Sequence, residues 1–216
     1  FEIVVIGETS AGKSTFLNVL LGKHILPSHS LHTTSCLCRL HNSVDTRLEF
    51  TIENGSVKKI IQIRDPDEFK KTLTEQLKSV DQDDQSLAVI DIYWPIPWLQ
   101  KNIVLVDTPG ICKRAALTKQ VAEYVPTAAG YIFIIDSSRG GGIQEGIIKL
   151  LEVIQLSADK TGSWITEFSN ILFVCNKWDQ VEHKDDVSQN TQDELTKYCG
   201  PLQDWQTVKF TAKMEL

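Results

Sequence analysis

The chain has 216 residues, 42% of them hydrophobic and 23% charged, a composition that suits one sizeable globular core. A net charge of −6 excludes the basic footprint of a nucleic-acid binder. Five cysteines without regular spacing point to free thiols in a reducing, cytoplasmic setting, no apolar run is long enough to cross a membrane, and Phe1 already sits in a strand pattern, so the chain reads as an excised single domain over 1–216 without a signal peptide.

Glu2–Ile6 is expected to be a buried strand and Thr15–Leu21 an amphipathic helix closed by Gly22. Residues 23–35 are polar, carry three of the five histidines and lack helical period, so they read as an exposed loop before a strand at Cys36–Leu40. Arg47–Glu53, Asn54-Gly55 and Val57–Ile63 form a hairpin signal. Pro66 is placed at the first position of a helix reaching about Val80, followed by an acidic loop at 81–86. Leu87–Tyr93 and Ile103–Val106 read as strands, Leu117–Val125 as a helix and Tyr131–Ile135 as a buried strand. A loop at Gly140–Gly142 precedes a helix over Ile143–Leu156. Ile171–Cys175 is a further buried strand, Val187–Tyr198 a polar helix with a solvated face, and Thr207–Thr211 the last strand. Alternating strands and helices imply an α/β fold: a mostly parallel central sheet with helices on both faces, and the hairpin as an antiparallel edge.

Gly7-Glu8-Thr9-Ser10-Ala11-Gly12-Lys13-Ser14 fits the phosphate-binding pattern G-x-x-x-x-G-K-[ST] at every fixed position, between a strand and a helix start. Such a loop turns its N–H groups and a helix N-terminus onto phosphate oxygens. Lys13 adds a point charge and the Ser14 hydroxyl is a ligand for Mg²⁺. Residues Glu8 to Thr15 (Glu8, Thr9, Ser10, Ala11, Gly12, Lys13, Ser14, Thr15) are the expected nucleotide contacts. Asp107-Thr108-Pro109-Gly110 follows an apolar strand. There Asp107 can hold Mg²⁺ through water, and the Gly110 N–H can sense a terminal phosphate.

Asn176-Lys177-Trp178-Asp179 follows another buried strand. A carboxylate at Asp179 accepts from both N1–H and N2–H₂ of guanine, a donor pair that adenine lacks. Asn176 is expected to brace the loop and the Lys177 stem to lie over the base. Thr211-Ala212-Lys213 resembles the S-A-K element that closes a guanine pocket, with the Ala212 N–H toward O6. These residues imply a P-loop nucleotide site for GTP and GDP with Mg²⁺. The switch threonine of such a site is left between Thr33 and Thr34.

With these motifs in order, the chain resembles the GTPase domain of the dynamin superfamily, in the pattern of mitofusins and bacterial dynamin-like proteins. The resemblance is carried by residues 7–22, by Ile25-Leu26-Pro27 with Leu31-His32-Thr33-Thr34, by Tyr93-Trp94-Pro95 ahead of Asp107-Thr108-Pro109-Gly110, and by the Trp inside Asn176–Asp179. It implies GTP hydrolysis stimulated by dimerisation through the nucleotide face. It also implies a membrane-remodelling role in the full-length protein, and a monovalent cation, K⁺ or Na⁺, held with the help of Ser10. Aligned on the following strand, Thr34 takes the switch role and, with Ser14 and Asp107, the Mg²⁺ set, while Ser10, Lys13, Thr34 and Gly110 are the expected catalytic residues. Ile111 stands where Ras-type enzymes place a water-orienting Gln. Water must then be placed by another group, and no arginine finger is assigned, Arg114 being merely near in sequence. The alternative is a binding switch with negligible turnover. His29, His32, Cys36, Cys38 and His41 are too irregularly spaced to favour zinc over loop and strand residues. Trp94–Trp98 is expected to cover a sheet edge rather than dock a partner.

Overall fold

The computed structural model describes residues 1–27, 37–51, 57–63, 65–80, 89–111, 121, 128–140, 142–161 and 169–211. Its strands are β1 (Glu2–Gly7), β2 (Leu37–Asn42), β3 (Arg47–Thr51), β4 (Val57–Gln62), β5 (Val89–Trp94), β6 (Val104–Asp107), β7 (Gly130–Asp136), β8 (Ile171–Asn176) and β9 (Thr207–Lys209). The described helices are α1 (Lys13–Leu21), α2 (Pro66–Val80), α3 (Glu145–Thr161) and α4 (Lys184–Cys199). Elements expected at 81–86 and 117–125 lie outside the described residues, apart from Val121, which is buried in the core.

One nine-stranded sheet runs in the order β4-β3-β5-β2-β6-β1-β7-β8-β9. From β6 across to β9 every pairing is parallel. The β3–β4 hairpin is the antiparallel edge that the Asn-Gly signal implied. Antiparallel pairing also reaches further in than that signal shows: β3 runs against β5, and β2 runs against β6 while parallel to β5. A strand's direction relative to a distant neighbour leaves no mark in its own hydrophobic pattern.

The pleat divides the apolar residues between two cores. Val5, Leu40, Ile90, Ile92 and Ile134 pack with Phe16 and Leu17 of α1 and Phe69 and Leu73 of α2. Val4, Ile6, Phe133, Ile135 and Phe173 pack on the other face with Ile147, Leu150 and Leu151 of α3 and Leu195 of α4. Gly22 ends α1 in the left-handed region at φ 64° and donates to the Asn18 and Val19 carbonyls, so the expected C-cap is in place. Asn18 is buried and fixes the chain beyond it. Its Nδ2 donates to the Leu26 carbonyl, and its Oδ1 accepts from the Ile25 and Leu26 amides.

Most of the Trp-Pro segment does serve the core. Trp94, Ile96 and Leu99 are buried, while Trp98 is half exposed and donates through Nε1 to the Leu20 carbonyl. Cys38 and His41 cannot share a ligand, because Cys38 lies in the core and His41 stacks on Tyr93 on the opposite face of β2. His29, His32 and Cys36 lie outside the described residues.

The fold's consequence for function is an edge. The C-terminal ends of β1, β6, β7 and β8 lie side by side, with Val5 level with Asp107, Gly7 with Ile134 and Asp136 with Asn176. Ligands of open α/β sheets bind beyond the carboxyl ends of their parallel strands.

Candidate functional site

The loop from Gly7 to Gly12 leaves β1 and enters α1 through two left-handed residues, Ser10 at φ 66° and Gly12 at φ 96°. Ser10 is exposed at the apex, while Ala11 is buried and its N–H donates to the Glu8 carbonyl at 3.1 Å. A Cβ on Gly12 would overlap the Asn176 amide, so glycine there is required by fit as well as by φ. The Lys13 amine lies inside the loop and donates to the Gly7 and Glu8 carbonyls at 2.9 and 3.0 Å. Burial lowers its pKa to about 8 despite the nearby Asp107 and Glu8 carboxylates. Thr15 is partly exposed on the first turn of α1.

Asp107 closes β6 and is wholly buried. Its Oδ2 accepts from the Ser14 hydroxyl at 2.7 Å. Its Oδ1 is buried without a hydrogen-bond partner among the described residues. Burial raises this carboxyl to about 6, against the opposing pull of Lys13 and Ser14. A buried carboxylate oxygen beside a serine hydroxyl is a hard-oxygen donor set that suits Mg²⁺. Thr108 ties the same turn to β1, its hydroxyl donating to the Val5 carbonyl at 2.8 Å. Gly110 packs on the phosphate loop so closely that a Cβ would lie 2.7 Å from Thr9 Cα. Ile111 then bridges Glu8 as a short parallel pair and is itself fully buried. Its side chain belongs to the core and cannot orient water.

Asn176 ends β8 and braces the loop as its position implied: its Nδ2 donates to the Ala11 carbonyl at 2.8 Å, and its Oδ1 accepts from the Lys177 amide at 2.8 Å. Lys177 is left-handed at φ 60° and opens the short 3₁₀ turn Trp178–Gln180. Trp178 receives Lys209 over its ring at 4.8 Å, and its amide donates to the Phe210 carbonyl. Asp179 is exposed at this turn.

Phosphate loop, Asp107–Gly110 turn and Asn176–Asp179 turn are therefore brought together by direct contacts. Thr33, Thr34, Arg114, Ala212 and Lys213 lie outside the described residues. Sequence reasoning passed over Asp136 and Arg139. Asp136 ends the otherwise apolar β7, is buried, and accepts from the Lys177 amine at 2.7 Å. Burial pushes its carboxyl up, but the hydrogen bonds from Lys177 and Ser138 outweigh that and hold it below the usual range. Arg139 reaches from the following turn to Glu8 Oε2 at 3.0 Å. An acid closing an all-apolar strand, on the edge where the motifs converge, was the signal available.

The family model described as Dynamin family matches residues 3–178. The chain belongs to the dynamin family. This dynamin-family chain is 29% identical to a bacterial dynamin-like protein of Nostoc punctiforme, over 88% of the chain and 27% of the relative. It is 25% identical to Mitofusin-2 of Mus musculus, over 91% of the chain and 25% of the relative. A solved bacterial dynamin, one of an oligomerised pair described as sensing and tethering membranes at long range, matches its fold with a TM-score of 0.62, at 23% identity over 99% of this chain and 31% of the other. The chain thus spans about a third or less of the length of these relatives. Among its described residues, no helix is long and apolar enough to cross a membrane.

Proposed function

We propose that residues 1–216 form one nucleotide-binding unit that binds GTP and hydrolyses it to GDP and phosphate. The observation that carries this reading is the Ser14–Asp107 contact at 2.7 Å, which joins the phosphate loop to the D-x-x-G turn at the sheet edge where Asn176 also grips the loop. On this reading the loop amides and the α1 N-terminus hold the phosphates, and Lys13 leaves the loop carbonyls for the β/γ-phosphate oxygens. Ser14, Asp107 and Thr34 would hold Mg²⁺, which when bound offsets the charge on those oxygens. The Gly110 N–H follows the γ-phosphate. Asp179 pairs with guanine N1–H and N2–H₂ and becomes covered by the base, the Lys177 stem forms one wall, and Ala212 and Lys213 close the pocket.

Buried Ile111 offers no handle for water, so we assign water placement to the Thr34 backbone and Ser10, the latter with K⁺ or Na⁺. A second copy pressed on the nucleotide face would hold Thr34 against the γ-phosphate and exclude water, which strengthens each charge contact there. Membrane association and remodelling are proposed for the full-length protein on its family membership, with this part on the cytoplasmic side.

The same buried Ile111 favours a second reading, a GTP-dependent binding switch with negligible turnover. GTP turnover measured against protein concentration separates the two. Specific activity that rises with concentration, together with a dimer formed only with GDP and a fluoride-based phosphate mimic, is the expected result. Absence of turnover at every concentration would leave the switch.

A further inference from the structure

Lys177 sits in a sparsely populated backbone region for a non-glycine residue, φ 60° and ψ 34°. Such a conformation persists where its surroundings over-determine it, and here the side chain is fixed at both ends. Asn176 Oδ1 holds its amide, and Asp136 Oδ2 holds its amine at 2.7 Å. Asp136 is 2% exposed, and its second oxygen is committed to Ser138, accepting from that residue's amide at 3.2 Å and hydroxyl at 2.6 Å. The carboxylate is therefore set before any ligand arrives, and so is the path of the four methylenes between the two anchors. A lysine that is free in solution loses much rotamer freedom when laid along a ring; this one has already lost it.

We propose that Asp136 is the positioning residue of the base site, holding the Lys177 amine so that its aliphatic stem stands as a pre-formed wall for a purine. The proposal rests on the reading of Asn176–Asp179 as the guanine reader. Asp136 acts through Lys177 and touches no part of the nucleotide. Arg139 gives the same carboxylate a weaker second neighbour, Nε at 3.4 Å, while its own short contact goes to Glu8 in the phosphate loop. The phosphate loop's own holds, Asn176 on Ala11 and Lys13 on Gly7 and Glu8, do not pass through Asp136. Base and phosphate binding are thus separable at this residue.

The test is displacement of a fluorescent GDP from the chain, once by GDP and once by inorganic tripolyphosphate, which has no base. Asp136→Ala is expected to weaken GDP about tenfold, the effect of freeing one rotamer-rich side chain, and to leave tripolyphosphate unchanged. Lys177→Met should weaken GDP to a similar degree, and the double variant should be no weaker than Lys177→Met alone. Equal loss for GDP and tripolyphosphate, multiplying effects in the double variant, or wild-type GDP affinity in folded Asp136→Ala would each overturn the proposal. If circular dichroism shows Asp136→Ala unfolded, Asp136→Asn carries the same test with a loss of about threefold, since the amide keeps one acceptor but no charge. Asp179→Asn separates this from the underlying reading: a chain with no guanine preference, or none that this substitution moves to xanthine, overturns the base-reader assignment and the inference with it.

Discussion

Asp107 is a carboxylate held in a place that disfavours its charge, and replacing it with Asn should stabilise the nucleotide-free protein while removing its response to Mg²⁺. Burial lifts its carboxyl from 3.8 to about 6. A shift of that size corresponds to about 3 kcal/mol of disfavoured ionisation at neutral pH. The sign follows from proton uptake: between 3.8 and about 6 the folded state binds more protons than the unfolded one, so stability falls as pH rises through this window and is level above it. Lowering the pH from 7 to about 4.5 should therefore recover about 2 kcal/mol in the wild type and none of it in Asp107→Asn. For a chain of this size that is about 4–8 °C in melting temperature. Glu145, whose carboxyl the Lys149 amine lowers from 4.5, is exposed and common to both proteins, so it cancels in the comparison. Lys13 changes charge from about 8 upward, and Asp91 and Asp136 have carboxyls held below 3.8. The variant keeps the Ser14 hydrogen bond through its amide oxygen. The attraction of Lys13 for the charged carboxylate is already contained in the value of about 6, so its loss in the variant is not subtracted a second time. The assay is thermal melting of both proteins over this pH range, without nucleotide and with GDP with or without Mg²⁺. The reasoning is refuted if Asp107→Asn is the less stable protein at pH 7, if it shows the same acid-side gain as the wild type, or if Mg²⁺ still raises its melting temperature with GDP.

Lys13→Ala should lose nucleotide binding by about a hundredfold or more while keeping its circular dichroism, because the buried amine donates to loop carbonyls at the phosphate site rather than supporting the core, and is desolvated at a cost that alanine does not carry. Near-normal binding of labelled GTP would remove it from the site. Asp179→Asn should exchange guanine for xanthine preference in competition binding, since the amide donates to a xanthine O2 but cannot accept from both guanine donors; an unchanged guanine preference means that another group reads the base. Gly110→Ala should destabilise the chain by about 1–3 kcal/mol, because the new Cβ meets Thr9 backbone atoms that cannot yield. The built distances are 2.7 Å to Thr9 Cα and 2.9 Å to its N, and an unchanged melting temperature would mean that the turn and the phosphate loop are not packed as described.

What the sequence made legible was whatever a local pattern encodes. The phosphate loop, Gly22 as a cap, Pro66 at a helix start and the continuous apolar runs of β1 and β7 each depend on residues within a few positions of one another, and each lies where the pattern implied. Boundaries moved where tertiary neighbours extend an element: β2 runs to Asn42, whose side chain donates to the Leu99 carbonyl and accepts from the Ile96 amide. α3 reaches Thr161 rather than Leu156. The antiparallel entry of β2 beside β6, and the ion pair of Asp136 with Lys177, join residues far apart in the chain, so nothing near either one announces the other.

The two kinds of legibility bear differently on chemistry. Binding motifs are local because a phosphate is small: one loop and one helix end surround it, and four fixed residues, Gly7, Gly12, Lys13 and Ser14, suffice to reveal the site. Turnover needs a water placed on the far side of the γ-phosphate, where of the loop residues Ser10 alone is given a part in the proposed reading. The residue that would face it next to Gly110 is Ile111, drawn into the core by its bridge to Glu8. The backbone pair that orients the Gly110 turn thus also removes the following side chain from the reaction path. On the proposed reading, such a chain would supply the phosphate grip by itself and would depend for the water on a second copy pressed against the nucleotide face. That makes concentration-dependent turnover, rather than nucleotide affinity, the property on which the two proposed functions divide.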